Sequence, residues 1–356
     1  VSVHCPTIGG AEIEEQAALR RSLLQSRIRW IKQCLLVPFM LLATMPTISS
    51  SFAQSAEDVG CGGKKIEIAD LQWPSATILA HVHAQLLASQ LNCDVSIVVS
   101  DIESVTTTLK TTQRPTLIPE MWPTRVAEKW NQTVEARAAF TGGPTYDVTQ
   151  IEGWFIPAKV VQDFPALASI ENLKDMSELY QSTRKPKFVS CPKEWACALI
   201  NRNMLKSLGL FGAFDVIEPQ NRIEMDQLIG QMSATSEPMV FYYWQPNALL
   251  AQLDVKPIAM GAYDAEAYAC YGRQDCANAA QSAYPIEVIN LVVADWVRGD
   301  APELIPYVRK AQMPIAIMNQ LLAKMVDQNI SAEAVAADFL ANHEEIWRVW
   351  LPLFDQ

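Results

Sequence analysis

From residue 65 onward, short β-branched or alternating apolar runs take turns with longer helical patterns, and this alternation is what most restricts the fold. Lys65-Ile66-Glu67-Ile68-Ala69-Asp70 alternates as a strand, and a turn at Trp73-Pro74-Ser75 leads into a helix from about Thr77 to Leu91. Val95 to Val99 is a second strand with β-branched bias. Val105 to Glu120 reads as a helix followed by the short apolar piece Thr116-Leu117-Ile118, and Thr124 to Phe140 as a helix broken by Gly142-Gly143-Pro144. A new unit starts at Gly153-Trp154-Phe155-Ile156-Pro157, and Met239 to Trp244 is a buried strand ended by Pro246. Strands alternating with helices in this way imply an α/β fold with largely parallel sheets. The Gly-Gly-Pro break and the stretch from Trp244 to Lys256 are the places where the chain would cross from one lobe to another and back.

Residues 1–53 have a different character. Arg20, Arg21, Arg27, Arg29 and Lys32 form a positive flank, Cys34 to Ile48 a short apolar core, and Ser49 to Gln54 a small polar run. That order is the pattern of a secretory signal, with cleavage expected after Ala53. The apolar core, interrupted by Pro38 and Pro46, is short for a membrane span, which needs about 20 residues. Residues 1–19 are long and acidic for a signal start, so translation could begin downstream of residue 1.

Of the 28 basic and 39 acidic residues, five and three fall in this segment, leaving 23 Lys+Arg against 36 Asp+Glu in the remainder. So acidic a balance argues against nucleic acid as a partner, which calls for a basic face. Six of the eight cysteines lie beyond the segment: Cys61, Cys93, Cys191, Cys197, Cys270 and Cys276. An even number in an exported chain favours disulfides. Six cysteines allow fifteen pairings; the closeness of Cys191 to Cys197 and of Cys270 to Cys276 favours those two, with Cys61 left for Cys93. A zinc site is the weaker reading, because none of His81, His83 and His343 stands at finger spacing from a cysteine pair. His81 and His83 would splay apart on a helix and read as solvated surface. No metal or cofactor is expected. The chain carries no nucleophile elbow, phosphate-cradling glycine loop or metalloprotease helix that would point to an enzyme.

The ten tryptophans are informative through their placement. Trp130, Trp296, Trp347 and Trp350 lie in helical patterns and read as core. Trp73, Trp122, Trp154, Trp195 and Trp244 instead read as lying where strands give way to loops, the edge at which parallel α/β sheets bind ligands. Clustered indole faces attract a cation whose charge is spread over methyl groups, an interaction of about 2 kcal/mol or more once desolvated. Glu120 and Glu152 flank two of these indoles, where they would balance an onium charge, accept a hydroxyl, or merely cap surface turns.

Several segments resemble the substrate-binding proteins of glycine betaine/proline betaine ABC transporters, a family that includes binders of choline, trimethylamine N-oxide and dimethylsulfoniopropionate. They are Ile68-Ala69-Asp70-Leu71-Gln72-Trp73, Pro119-Glu120-Met121-Trp122, Glu152 to Pro157, Cys191 to Cys197 around Trp195, Tyr242-Tyr243-Trp244-Gln245-Pro246, and Ala269 to Pro285. The cysteine-bracketed Trp195 and the Tyr-Tyr-Trp run are most similar to the trimethylamine N-oxide branch. The resemblance covers residues 64–352. It implies a two-lobed periplasmic-binding-protein fold, each lobe a mainly parallel sheet flanked by helices, that closes on its ligand with a tryptophan cage around the onium head. Residues 64–150 and 255–356 would then form lobe 1 and residues 151–254 lobe 2. Tyr243, beside Trp244, is counted with the ligand-binding candidates. The implied partners are a small onium ligand and a membrane permease, the implied location is the periplasm, and a monomer is expected. The same fold could instead present an osmolyte to a chemoreceptor or sensor kinase.

Overall fold

The computed structural model describes residues 60–149, 151–179, 185–235, 238–277 and 280–352. The expected signal segment and its cleavage point at Ala53 lie outside these residues. None of the described helices is long and apolar enough to cross a membrane.

Two five-stranded sheets organise the chain. In the first, β1 (Ile66–Asp70) is flanked by β2 (Val95–Val99) and β3 (Leu117–Met121), both parallel to it. The sheet continues through β10 (Asn290–Ala294) to β4 (Ala139–Pro144), and both of these pairings are antiparallel. In the second, β6 (Lys187–Val189) is parallel to β7 (Asp215–Ile217) and to β8 (Met239–Trp244), while β5 (Glu152–Pro157) runs antiparallel to β8 and to β9 (Val255–Pro257). The parallel pairings anticipated from the strand–helix alternation thus fill one half of each sheet. The strands that enter or leave a sheet at a crossing supply its antiparallel half.

The helix between β1 and β2, α1 (Pro74–Leu91), starts one residue after Trp73 with a proline at its first position, where the missing N–H costs nothing. It ends at Asn92 in the left-handed conformation that asparagine tolerates. From Ser75 through Leu87 almost every side of it is covered, by the sheet beneath and by the helix Ala332–Asn342. His83 is therefore buried, 2% exposed, with Nδ1 2.6 Å from the Tyr307 hydroxyl. This overturns the expectation of a solvated surface histidine: alternation along a helix says nothing about a helix enclosed on both sides.

The segment expected to be one helix from Thr124 to Phe140 divides into a 3₁₀ turn Pro123–Val126, α2 (Ala127–Glu135) and the strand β4. Gly142 and Gly143 do not break a helix; they are strand residues. A Cβ on Gly142 would lie 2.9 Å from the Val308 carbonyl oxygen, and one on Gly143 3.0 Å from that of Arg309. The glycines are what let β4 pass under the helix Leu304–Lys310.

The chain crosses between sheets twice, and the two crossings run side by side: Thr145 N–H donates to the Ile289 carbonyl and Glu287 N–H to that of Thr149. Residues 255–285, expected to return to the first lobe, stay with the second sheet. β9 pairs with β5, and Ile258, Tyr271 and Tyr284 pack in the second core. The return comes only after Tyr284, because the apolar faces of these residues match the second core and the β-branched run Val292-Val293 matches the first. The three disulfides pair Cys61 with Cys93, Cys191 with Cys197 and Cys270 with Cys276.

A tryptophan-lined cleft as candidate ligand site

The C-terminal ends of β1, β3 and β8 open onto a cavity of about 530 Å³. From the first sheet it is walled by Trp73 and Ser75 at the start of α1, Glu120 and Trp122 at the end of β3, and Arg125 in the 3₁₀ turn. Trp244, the last residue of β8, and Arg222, the first of the helix Arg222–Ala234, come from the second. Ligand sites outside the carboxyl ends of strands are the rule in open α/β sheets.

Glu120 is fully buried on this wall. Its Oε1 accepts hydrogen bonds from the Ser75 hydroxyl (3.1 Å) and the Trp122 indole N–H (3.2 Å), and its Oε2 accepts from the Tyr146 hydroxyl (3.1 Å). Loss of water pushes the carboxyl up to about 7, against the opposing pull of the surrounding donors. The Trp73 N–H is near enough to favour the carboxylate's charge but is buried without a well-formed hydrogen bond. The same burial, with the negative charge of Glu120, drives the Tyr146 phenol well above its ordinary value.

Across the cleft, Trp244 stacks on Tyr243 with centroids 4.7 Å apart. Tyr243 itself is buried, its hydroxyl donating to Asp226 at 2.5 Å, so it backs the Trp244 ring and does not line the cavity. Trp195, 41% exposed, stands against the same Trp244. Glu152 accepts from the Tyr242 hydroxyl at 3.0 Å and is likewise outside the cavity lining. Burial raises its pKa, while Tyr242 and the positive charge of Arg125 act in the other direction.

Of the five tryptophans singled out in the sequence, the cavity therefore gathers Trp73, Trp122 and Trp244, with Trp195 touching Trp244 from the rim. Trp154 is elsewhere. It is fully buried in the second core, edge-on to Phe188 at 4.7 Å, and its indole N–H donates to Asn201 at 2.8 Å. The sequence reading failed there because Gly153 is a residue within β5 and not a loop before it, so Trp154 sits mid-strand in register with Tyr242.

Sequence reasoning passed over Arg125, Arg222, Ser75 and Tyr146. Arg125 stands three residues after Trp122 in a proline-started turn, and its guanidinium lies 4.5 Å over the Trp122 ring. Arg222 is tied to Asp226 at 3.3 Å. Ser75 could have been found as the polar residue opening a helix beside Trp73, whereas Tyr146 reaches Glu120 only because the crossing segment folds back over β3. Among the described residues no group of histidines, cysteines and acids could hold a metal ion.

Residues 64–342 match the family model of the substrate-binding domain of ABC-type glycine betaine transport systems. The chain belongs to this family. Members are binding proteins rather than enzymes; they hold a small solute outside the cytoplasm for a membrane permease. Among solved structures, apo YehZ from Escherichia coli is similar over 79% of this chain and 99% of its own, at 12% identity and TM-score 0.54. A glycine betaine/carnitine/choline ABC transporter structure gives the same coverage, identity and score. At that identity the likeness speaks for the two-lobed fold alone. No curated protein matches the sequence. Within the family fold, Glu120 and the indoles of Trp73, Trp122 and Trp244 stand at the cleft edge of both sheets.

Proposed function

We propose that this protein captures a methylated onium osmolyte, of the glycine betaine, trimethylamine N-oxide, dimethylsulfoniopropionate or choline type, and presents it to the permease of an ABC importer. The observation that carries this reading is the buried Glu120 carboxyl on a cavity wall made of Trp73 and Trp122, with Trp244 on the opposite sheet. An onium head cannot donate a hydrogen bond; its charge is spread over methyl groups, which suits indole faces and a desolvated carboxylate. Drawing residues from both sheets makes closure of the lobes part of binding, the usual habit of hinged binding proteins. Trp195 would complete the cage through Trp244 as the cleft shuts.

The positive flank and short apolar core of residues 20–53 support export to the periplasm with cleavage after Ala53, and we expect the released protein to be a monomer. Intact mass of the exported protein checks the cleavage. Titration calorimetry of the mature chain with glycine betaine, choline, trimethylamine N-oxide, dimethylsulfoniopropionate and carnitine checks the ligand class. Binding of at least one in the micromolar range or better is expected, and silence from all five would refute the onium reading.

A further inference from the structure

Glu120 has more hydrogen-bonding capacity than the protein uses. An ionised carboxylate offers about four acceptor sites. Ser75, Trp122 and Tyr146 fill three, two on Oε1 and one on Oε2. All three donors are neutral, and so is Trp73, the fourth group close by. Neither cation of the cavity bonds the carboxyl: Arg125 lies over the Trp122 ring, its charge felt by Glu152, and Arg222 pairs with Asp226. Tyr146, the one titratable partner in direct contact, holds its proton well above the physiological range. The carboxyl therefore sits in the cavity wall with no cation among the groups that bear on its charge, and Oε2 accepts a single protein hydrogen bond.

Resting on the onium reading above, we propose that Glu120 selects the ligand's head group by proton exchange. A permanently charged onium, which has no acceptor on its head, is taken by the carboxylate, and the proton leaves for solvent. An N-oxide head, whose oxygen is a strong acceptor, is taken by the carboxylic acid, which donates its O–H to the oxide. Guanidinium groups do not exchange protons in proteins, so Glu120 is the switching group.

Because burial brings the carboxyl to about 7, both forms are populated near neutral pH. The two head groups should then show opposite pH dependence. Glycine betaine affinity should be constant above about pH 7 and fall up to about tenfold per pH unit below it. Trimethylamine N-oxide affinity should be constant below about pH 7 and fall by the same factor above it.

The test is calorimetry on the mature wild-type protein with these two compounds between about pH 6 and 8.5, with free N-oxide taken as the unprotonated fraction. It is repeated near pH 7 in two buffers of different ionisation enthalpy. About half a proton should be released per glycine betaine bound and about half a proton taken up per N-oxide. Glu120→Gln, a neutral donor, should remove the pH dependence of both, weaken glycine betaine and retain the N-oxide. Binding of either compound without proton exchange and with a flat pH profile overturns the proton exchange while leaving the onium reading intact. A pH dependence that persists in Glu120→Gln assigns the proton to another group, Glu152 foremost, and also overturns it. Failure of both compounds and the rest of the onium panel to bind removes the onium reading and this inference with it.

Discussion

The Trp195 and Trp244 rings lie 5.7 Å apart at 54°, although 49 residues of chain separate them. Trp244 ends a strand of the second sheet and lines the cavity; Trp195 caps the start of the helix Ala196–Ser207 inside the interval closed by Cys191–Cys197. The disulfide thus bears on the site through one aromatic contact. It limits where Trp195 can go, and Trp195 limits the tilt of Trp244.

Opening that disulfide should cost both stability and affinity. Closing a loop this short is worth about 2 kcal/mol on the loop-entropy account. The Cys191→Ser/Cys197→Ser double variant should melt several degrees lower and bind its best onium a few-fold more weakly. Pairing Cys270→Ser with Cys276→Ser removes a loop of the same length whose cysteines do not line the cavity and which does not hold Trp195. That variant should lose comparable stability and keep its affinity. Equal losses of affinity in the two would show that loosening the second lobe, and not freeing Trp195, is responsible.

Indole replacements should separate cage from core. Trp73→Ala, Trp122→Ala and Trp244→Ala each remove about 2 kcal/mol of desolvated cation–π contact, a tenfold or greater loss in dissociation constant. Trp154→Phe should behave in the opposite way. It gives up the hydrogen bond to Asn201 and part of a packed ring, lowering the melting temperature while leaving affinity within about two-fold of the parent. Calorimetry on the folded variants decides the matter; unchanged affinity in all three alanine variants would place the onium elsewhere.

These contrasts also show where the sequence was readable. Trp73, Trp122 and Trp244 were found because strand-ending pattern and aromatic identity coincide at each. Trp154 looked the same in one dimension, with a glycine before it and a proline three residues on, and only the pairing of β5 with β8 and β9 shows it to be interior. The glycines of β4 misled for a related reason. A Gly-Gly-Pro run is usually punctuation, but here it admits the carbonyls of Val308 and Arg309, a contact between residues more than 160 positions apart. The late return of the chain after Tyr284 was hidden too, since β9 is three residues long and carries no alternation to assign. Glu120 was legible as a candidate, yet its burial and its Tyr146 partner depend on the crossing segment.

Arg125 should read the far end of the ligand. Its guanidinium lines the cavity and lies over Trp122, leaving its N–H edge available to an anion. Arg125→Gln should therefore weaken a carboxylate-bearing onium such as glycine betaine by about tenfold, the scale of one charge-assisted hydrogen bond. Choline, which has a hydroxyl in place of the carboxylate, should change by no more than about two-fold. A parallel drop for both ligands would mean that Arg125 acts by holding the Trp122 ring in place.

Two buried groups should pull the acid stability of the protein in opposite directions. His83, on α1, packs against Tyr307 and Trp350, and burial lowers its pKa from 6.5 to about 4. Below pH 6.5 the unfolded chain takes up a proton that the native chain refuses. The contribution of His83 is therefore full above pH 6.5 and is lost as pH falls toward about 4, up to about 3 kcal/mol in all. Glu120 does the reverse. Its pKa is raised from 4.5 to about 7, so from pH 7 down to 4.5 the native chain takes up the proton first, and stability grows by a similar amount. In the wild type the two slopes offset each other over the interval they share, and the melting temperature should change little between about pH 4.5 and 6.5 on their account. Each single variant should expose the other group. Glu120→Gln should lose stability steadily as pH falls through this window, and His83→Gln should gain it. Scanning calorimetry of the three proteins without ligand, at matched ionic strength, measures this directly, and three parallel curves would show that neither group carries a shifted proton.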